Sequence, residues 1–251
     1  MHDLVEQRSA APPATHRVLV LAGGAPSPRL LDLAHSSVPR GARLEVFTLN
    51  AEAAHVQQGT AEACDAAAAL PLPSVRAVLR ALHDTRADAL VLGYPDHARA
   101  RSDFTDIVER AHAAASIDLI VCVDRHERPW NRVLVPYLHG PLDDGALRMA
   151  RRLARSGDAA VTVLHVVEPA TDDEGVHQLR AAIDGCALKI VTSDDPIAAA
   201  AAETRAGYDL IVLGGRERPT PGRYFTMRQQ RLLLATDATL VIVHAGRPQA
   251  G

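Results

Sequence analysis

Tyr208-Asp209-Leu210-Ile211-Val212-Leu213-Gly214-Gly215 reads as a buried strand that runs into a glycine turn. Arginine and proline crowd the segment that follows, Arg216 to Tyr224. Phe225 to Thr236 has helical character, and Thr239-Leu240-Val241-Ile242-Val243-His244 is again continuously apolar. An unbroken apolar strand, a helix and a second unbroken apolar strand form the pattern of a βαβ unit in a parallel sheet covered on both faces. Open α/β sheets hold ligands beyond the carboxyl ends of their strands, where the glycine turn lies. A ligand site in this chain is therefore expected here.

The same stretch stands 121 residues earlier, Asp88-Ala89-Leu90-Val91-Leu92-Gly93 against Asp209-Leu210-Ile211-Val212-Leu213-Gly214. Phe104-Thr105 against Phe225-Thr226, Arg110 against Arg231, Ala114 against Ala235 and Leu119-Ile120 against Leu240-Val241 continue it without a gap. Further back, Arg17-Val18-Leu19-Val20 repeats as Arg132-Val133-Leu134-Val135, and Leu44–Phe47 more loosely as Val161–Leu164. An internal repeat outweighs any local motif in deciding the fold. The chain is a tandem duplication.

Its 251 residues suit two domains of about 120 residues each. Apolar residues make up 47% of the chain but aromatic ones only 3%, so the cores must be built from Val, Leu, Ile and Ala. A formal charge of -3 argues against a general nucleic-acid binder, whose footprint is strongly basic. Cys64, Cys122 and Cys186 are odd in number and widely spaced, which suits a reducing cytosol and offers neither a disulfide framework nor a zinc site. Met1–Thr15 has no apolar core and does not read as a signal peptide. No apolar run approaches the roughly 20 residues of a membrane span. A soluble, cytoplasmic chain is expected.

In chain order, residues 1–16 read as a disordered leader or linker. The first domain, 17–124, has strands over Arg17–Ala22, Arg43–Thr48, Asp88–Leu92 and Asp118–Val123. Its helices are expected over Pro26–Ser36, Ser74–Arg86 and about Asp103–Ala115, with a weakly patterned stretch from Ala51 to Leu70. Residues 125–131 are polar, contain Pro129, and read as a linker. Trp130 packs either where the two domains meet or simply at the start of the next strand. The second domain, 132–245, has strands at Arg132–Val135, Ala160–Val167, Ala187–Val191 and the two described at the outset. Asp143 or Asp144 can cap the helix carrying Ala146, Leu147, Ala150, Leu153 and Ala154, and Val176, Leu179 and Ile183 mark the next one. Asp195-Pro196 is a cap followed by proline at the first helical position. Each half is thus expected to be α/β, a five-stranded parallel sheet with helices on both faces.

These residues resemble the universal stress protein superfamily. The resemblance is carried by Arg132-Val133-Leu134-Val135-Pro136, Val163-Leu164-His165-Val166-Val167, Val191-x-x-x-Asp195-Pro196, Asp209–Gly214 and Arg231-Leu232-Leu233 through Val243. It covers Arg132–Ala245 well and Arg17–Val123 more faintly. It implies two tandem Rossmann-like domains, of the adenine nucleotide alpha hydrolase-like kind, paired as a pseudo-dimer. Many members of the family bind ATP through a Gly-x2-Gly-x9-Gly-Ser/Thr loop, whose backbone N–H groups and following helix start hold the phosphates. Gly93 and Gly214 match its first glycine. Asp96 and Glu217 stand at the second, and about Thr105-Asp106 and Thr226-Met227 replace the final pair. The family's acidic residue after the first strand is replaced by Ala22-Gly23-Gly24 and Pro136-Tyr137-Leu138. The phosphate cradle is degraded in both halves. The positions expected to line an adenine-nucleotide site are Val135, Pro136, Val191, Gly214, Gly215, Arg216, Arg223, Thr226, Met227 and Arg228.

Trp130–Tyr137 and the ending Phe225-Thr226-x-Arg228-x-x-Arg231-Leu232 also resemble the universal-stress-like cytoplasmic tails of bacterial cation/proton antiporters. That second resemblance implies a regulatory tail at the inner face of a membrane, working by protein contact or nucleotide sensing.

Arg216, Arg218, Arg223, Arg228 and Arg231 place guanidinium groups near the expected phosphate position. They could replace lost backbone donors and grip an anion bidentately, or form a solvated loop in which Glu217 pairs locally. Asp96-His97 and His139 fall near strand ends, and exposed loop histidines explain them best. Asp143-Asp144 and Asp194-Asp195 precede helices and read as caps. No catalytic motif or metal-ligand spacing is present. A non-enzymatic stress-response or regulatory protein is expected, with ATP or another adenine nucleotide as its ligand and no metal. The expected partners are its own second half, a further copy of the chain, or an antiporter or other protein, and not nucleic acid.

Overall fold

The computed structural model describes residues 14–21, 27–39, 42–49, 56–58, 72–95, 98–114, 117–125, 129–137, 143–156, 159–167, 174–183, 185–215 and 224–246. Most of the leader, most of Ala51–Leu70, and Cys64, Asp96, His97, His139, Arg216, Glu217, Arg218 and Arg223 lie outside the described residues.

The strands are β1 (Thr15–Leu21), β2 (Arg43–Leu49), β3 (Val56–Gln58), β4 (Ala89–Gly93), β5 (Asp118–Val123), β6 (Arg132–Tyr137), β7 (Ala160–Val167), β8 (Ala187–Thr192), β9 (Leu210–Gly214) and β10 (Thr239–His244). The helices are α1 (Pro28–Ser36), α2 (Val75–Thr85), α3 (Ala98–Ala114), α4 (Asp143–Ser156), α5 (Glu174–Ala182), α6 (Pro196–Thr204) and α7 (Met227–Ala235). All ten strands join one sheet in the order β3-β2-β1-β4-β5-β10-β9-β6-β7-β8. Each half therefore has its own 3-2-1-4-5 order, and the halves meet edge to edge at β5 and β10.

That junction is antiparallel, with Leu240 opposite Val123 and His244 opposite Leu119. The physical reason lies in the two edges. β5 and β10 are almost wholly buried apolar runs, and each would otherwise present unpaired backbone groups beside a hydrophobic surface. Joining them antiparallel satisfies both edges at once. One expectation needs correction: the sheet of the first half is not all parallel. β3 pairs antiparallel with β2, Phe47 opposite Gln58 and Leu49 opposite Val56. An antiparallel edge strand on an otherwise parallel sheet is a common variation, because only the edge is free to reverse.

The central strands hide an alternation inside their continuous apolar runs. Leu19, Leu21, Leu90, Leu92 and Leu134 face a core shared with α2, α3, α6 and α7. Val18, Val20, Val91, Val133 and Val135 face a second core shared with α1, α4 and α5. The larger leucines thus pack under four helices and the shorter valines under three. At the far edge, β8 carries the only lysine, Lys189, whose Nζ sits 2.7 Å from Glu203 of α6. A lysine on an open edge strand opposes further strand pairing.

Helix starts follow the chemistry of their caps. Ser27 and Ser74 accept hydrogen bonds from Leu30 N and Ala77 N. Asp195 Oδ1 accepts from Ile197 N and Ala198 N at 3.1 and 2.9 Å, the cap expected of that aspartate. Asp143 and Asp144 belong to the first turn of α4 itself, where their charge favours the positive end of the helix dipole. Trp130 is buried just ahead of β6, and Arg29 of α1 lies over its ring at 5.2 Å, so the tryptophan packs against the other half.

Candidate ligand crevice

Reversal of strand order makes β1/β4 and β6/β9 the two switch points, and crevices for ligands open beyond the carboxyl ends of such pairs. At their amino ends the two pairs are built alike. Asp88 Oδ2 accepts from Arg17 N at 2.8 Å. Asp209 Oδ2 accepts from Asn131 N at 3.0 Å and Arg132 N at 2.9 Å. The aspartate repeated in both halves is a clamp that holds the first strand to the fourth.

Toward the carboxyl ends the pairs differ. β1 pairs with β4 over four positions, from Val18–Ala89 to Leu21–Leu92. β6 pairs with β9 over two, Val133–Leu210 and Leu134–Ile211. Pro136 stands two residues further along β6, and proline brings no N–H to a ladder. The second crevice therefore begins deeper in the sheet, beside Val135 and Pro136. Both are buried, with Gly214 at the end of the neighbouring strand.

The helix after each fourth strand separates the halves further. α7 starts at Met227, with Thr226 as its N-cap. Thr226 Oγ1 accepts from Gln229 N at 3.0 Å, and Gln229 Oε1 accepts from Thr226 N at 2.9 Å. Gln229 Nε2 then donates to the Gly214 carbonyl at 3.2 Å, which brings the helix start against the end of β9. This reciprocal cap occupies two of the four amides a helix start offers, leaving those of Met227 and Arg228 without a partner among the described residues. Met227 and Arg228 are themselves exposed. In the first half Thr105, repeat-related to Thr226, lies well inside α3, which begins at Ala98, and is buried. Thr105-Asp106 therefore does not stand at a helix start. The amides there are spent on helical hydrogen bonds, and α3 has been extended through the segment where the second half has Pro219, Pro221 and Gly222.

Gly215 is needed for a different reason than phosphate approach. Its N–H donates to Val243 O at 2.8 Å. A Cβ on it would come within 2.4 to 2.6 Å of the imidazole of His244. His244 is buried, and its Nε2 lies 3.0 Å from the Tyr224 hydroxyl in a shared hydrogen bond. Burial first, and the neighbouring Tyr94 second, push the Tyr224 phenol well above its ordinary pKa, so it stays protonated. Tyr94, Phe104, Tyr224 and Phe225 form a line of rings across the seam, with centroids 4.8 to 6.3 Å apart. The scarce aromatics are thus concentrated where the halves join. Sequence reading missed this cluster and Gln229, although a threonine followed three residues later by glutamine is a recognisable capping box.

Of the expected site residues, Val135, Pro136, Gly214, Gly215 and Thr226 gather around the β6/β9 end and the start of α7. Val191 lies on β8, beyond β7, and packs on the core shared with α2, α3, α6 and α7. Burial drives the Cys122 thiol far above its ordinary pKa, with the Asp124 charge adding to it, so it is no nucleophile. Among the described residues no group of three or more His, Cys, Asp or Glu side chains could hold a metal ion. No helix among them is long and apolar enough to cross a membrane.

No protein-family model matches the sequence, and no curated protein matches it. Solved structures do. A universal stress protein from Archaeoglobus fulgidus superposes with a TM-score of 0.56 at 12% identity, over 92% of this chain and 97% of that one. A protein of the universal stress protein family from Burkholderia pseudomallei is 22% identical over 45% of this chain and 95% of its own, with a TM-score of 0.33. The universal stress protein UspA from Lactobacillus plantarum is 19% identical over 47% and 99%, with a TM-score of 0.36. The full-length superposition carries the fold assignment, and the repeated 3-2-1-4-5 strand order agrees with it. Over nearly its whole length the chain has the universal stress protein fold, one copy in each half.

Proposed function

We propose that this is a non-enzymatic, cytoplasmic stress-response or regulatory protein of the tandem universal stress type, whose second half alone takes an adenine nucleotide or related anion. The observation that supports this reading is the difference between α3 and α7. An anion needs a helix start with amides to spare beside the end of the fourth strand; α7 begins against the end of β9, held there by Gln229, whereas α3 runs through the repeat-related position without a start. The first half does not fit a nucleotide phosphate. The second fits in part: two amides at Met227 and Arg228, the Arg228 guanidinium, and the deeper opening beside Pro136. Arg216 and Arg223 would complete the grip from the preceding segment.

Calorimetric titration with ATP, ADP, AMP and a cyclic dinucleotide tests this. Binding at micromolar affinity is expected, with one site per chain and no phosphate release. Arg223→Ala with Arg228→Ala should weaken it about ten-fold, the loss of one charge-assisted hydrogen-bond pair. Silence for all four ligands would overturn the reading. The Thr226–Gln229 cap, which already consumes part of the helix start, favours a second reading in that event. The fold would then serve as a scaffold for protein contact, of which the tail of a cation/proton antiporter is the form the sequence resembles.

A further inference from the structure

Helices α2 and α3 pack side by side and leave an open groove of about 950 Å³ between them. Val75 and Leu79 form its half-buried apolar floor. Arg76, Arg80 and His83 rise from α2, and Arg110 from α3, all exposed. Asp106 is the one carboxylate lining it. Arg80 also touches Asp84 at 3.5 Å, but those side chains are 83% and 55% exposed, and such a pair is weak enough to exchange for a better partner.

These arginines are not there to hold the helices together. Counting the repeat at 121 residues, the positions of Val75, Arg76, Leu79, Arg80 and His83 are taken in α6 by Pro196, Ile197, Ala200, Ala201 and Thr204. α6 nevertheless packs on α7 as α2 packs on α3. The same helix pair thus stands with the basic groove and without it. A positive stripe is also out of keeping with a chain of net charge -3.

We propose that the α2/α3 groove docks an acidic amphipathic helix of a partner protein. Arg76, Arg80 and His83 recur at i, i+4 and i+7, a stripe about 10 Å long, and Arg110 faces it from the other wall. A helix that lays an apolar edge on Val75 and Leu79 brings carboxylates at the same spacing against both walls, a helix-in-groove mode. A nucleic acid would leave the apolar floor unused and meet an overall negative chain. A bilayer surface does not enter a concave site.

The test is fluorescence anisotropy with a labelled synthetic helical peptide bearing Leu at i, i+4 and i+7 flanked by Glu. Its Lys-for-Glu counterpart serves as control, and the full chain is the receptor. Binding of the Glu peptide alone is expected, weakening as salt rises. The triple variant Arg76→Glu, Arg80→Glu, Arg110→Glu should lose at least ten-fold in affinity. Arg76→Ala and Arg110→Ala, one from each wall, should each lose about two-fold, and Arg231→Glu on the other helix pair should change nothing. Circular dichroism of each variant confirms that the exposed substitutions leave the fold intact. No binding of the Glu peptide, equal binding of the Lys peptide, indifference to the substitutions, or tighter binding of an RNA duplex or phosphatidylserine vesicles would each overturn the proposal.

Discussion

The two halves use one backbone arrangement at the ends of their fourth and fifth strands and fill it oppositely. Tyr94 N donates to Cys122 O at 2.7 Å in the first half, and Gly215 N donates to Val243 O at 2.8 Å in the second. In the first half the ring is Tyr94, the residue just past β4, and the β5 residue after Cys122 is Val123. In the second Gly215 stands just past β9 and the ring is His244, the last residue of β10. In the second half there is no room for even a Cβ beside the ring, since it would lie 2.4 Å from the imidazole. Gly215, expected to line a nucleotide site, is there because its neighbour is large. The same lesson holds for the helices that follow: α3 and α7 end at repeat-related residues, Ala114 and Ala235, but start eight residues apart in the repeat, at Ala98 and Met227.

The sharpest way to break that comparison is to place a side chain at Gly215. Gly215→Ala should cost about 3 kcal/mol by overpacking, read as a lower urea midpoint. His244→Ala should cost about 2 kcal/mol through its lost packing and hydrogen bond. The double variant should be more stable than the sum of these losses predicts, because removing the ring makes room for the methyl. Simple additivity would mean the two positions do not compete for space.

A smaller effect separates the two clamps. Asp209→Ala removes an acceptor of two backbone N–H bonds and should cost about 2 kcal/mol. Asp88→Ala, with one such bond, should cost about 1 kcal/mol. Equal losses in denaturant titrations would show that the halves are clamped alike. The smallest effect is at His16. Burial lowers its pKa, outweighing the Asp88 carboxylate 3.7 Å away. The unfolded chain therefore binds the proton more readily, and stability contributed at neutral pH is lost as pH falls below about 6.5 through the lowered folded value. His16→Gln should flatten the difference in stability between pH 7.5 and pH 5 relative to the parent chain. An unchanged slope would remove His16 as its source.

Much of the architecture was legible in the residues. The continuous apolar strands, the 121-residue repeat and the Asp195-Pro196 start all reappear where they were expected, because burial on both faces and cap chemistry are local demands. The candidate site was only partly legible. Val135, Gly214 and Thr226 converge because they sit at ends of elements whose order the repeat reveals. The start of α3 was placed five residues too late, at Asp103. Ala98–Ser102 carries no strong stop signal, and a helix boundary there depends on what the extra turns cover.

Sequence alone determined that this chain is a doubled α/β unit with cores of valine, leucine, isoleucine and alanine, since the apolar pattern and the repeat admit few other arrangements. Tertiary structure decided the rest: that β5 and β10 join the halves into one sheet, that β3 runs backward, and that Gly215 yields to His244. The reason is physical. Backbone hydrogen bonds pair strands without reading side chains, so a strand's sequence does not name its partner, and the space a residue needs is set by neighbours distant in the chain.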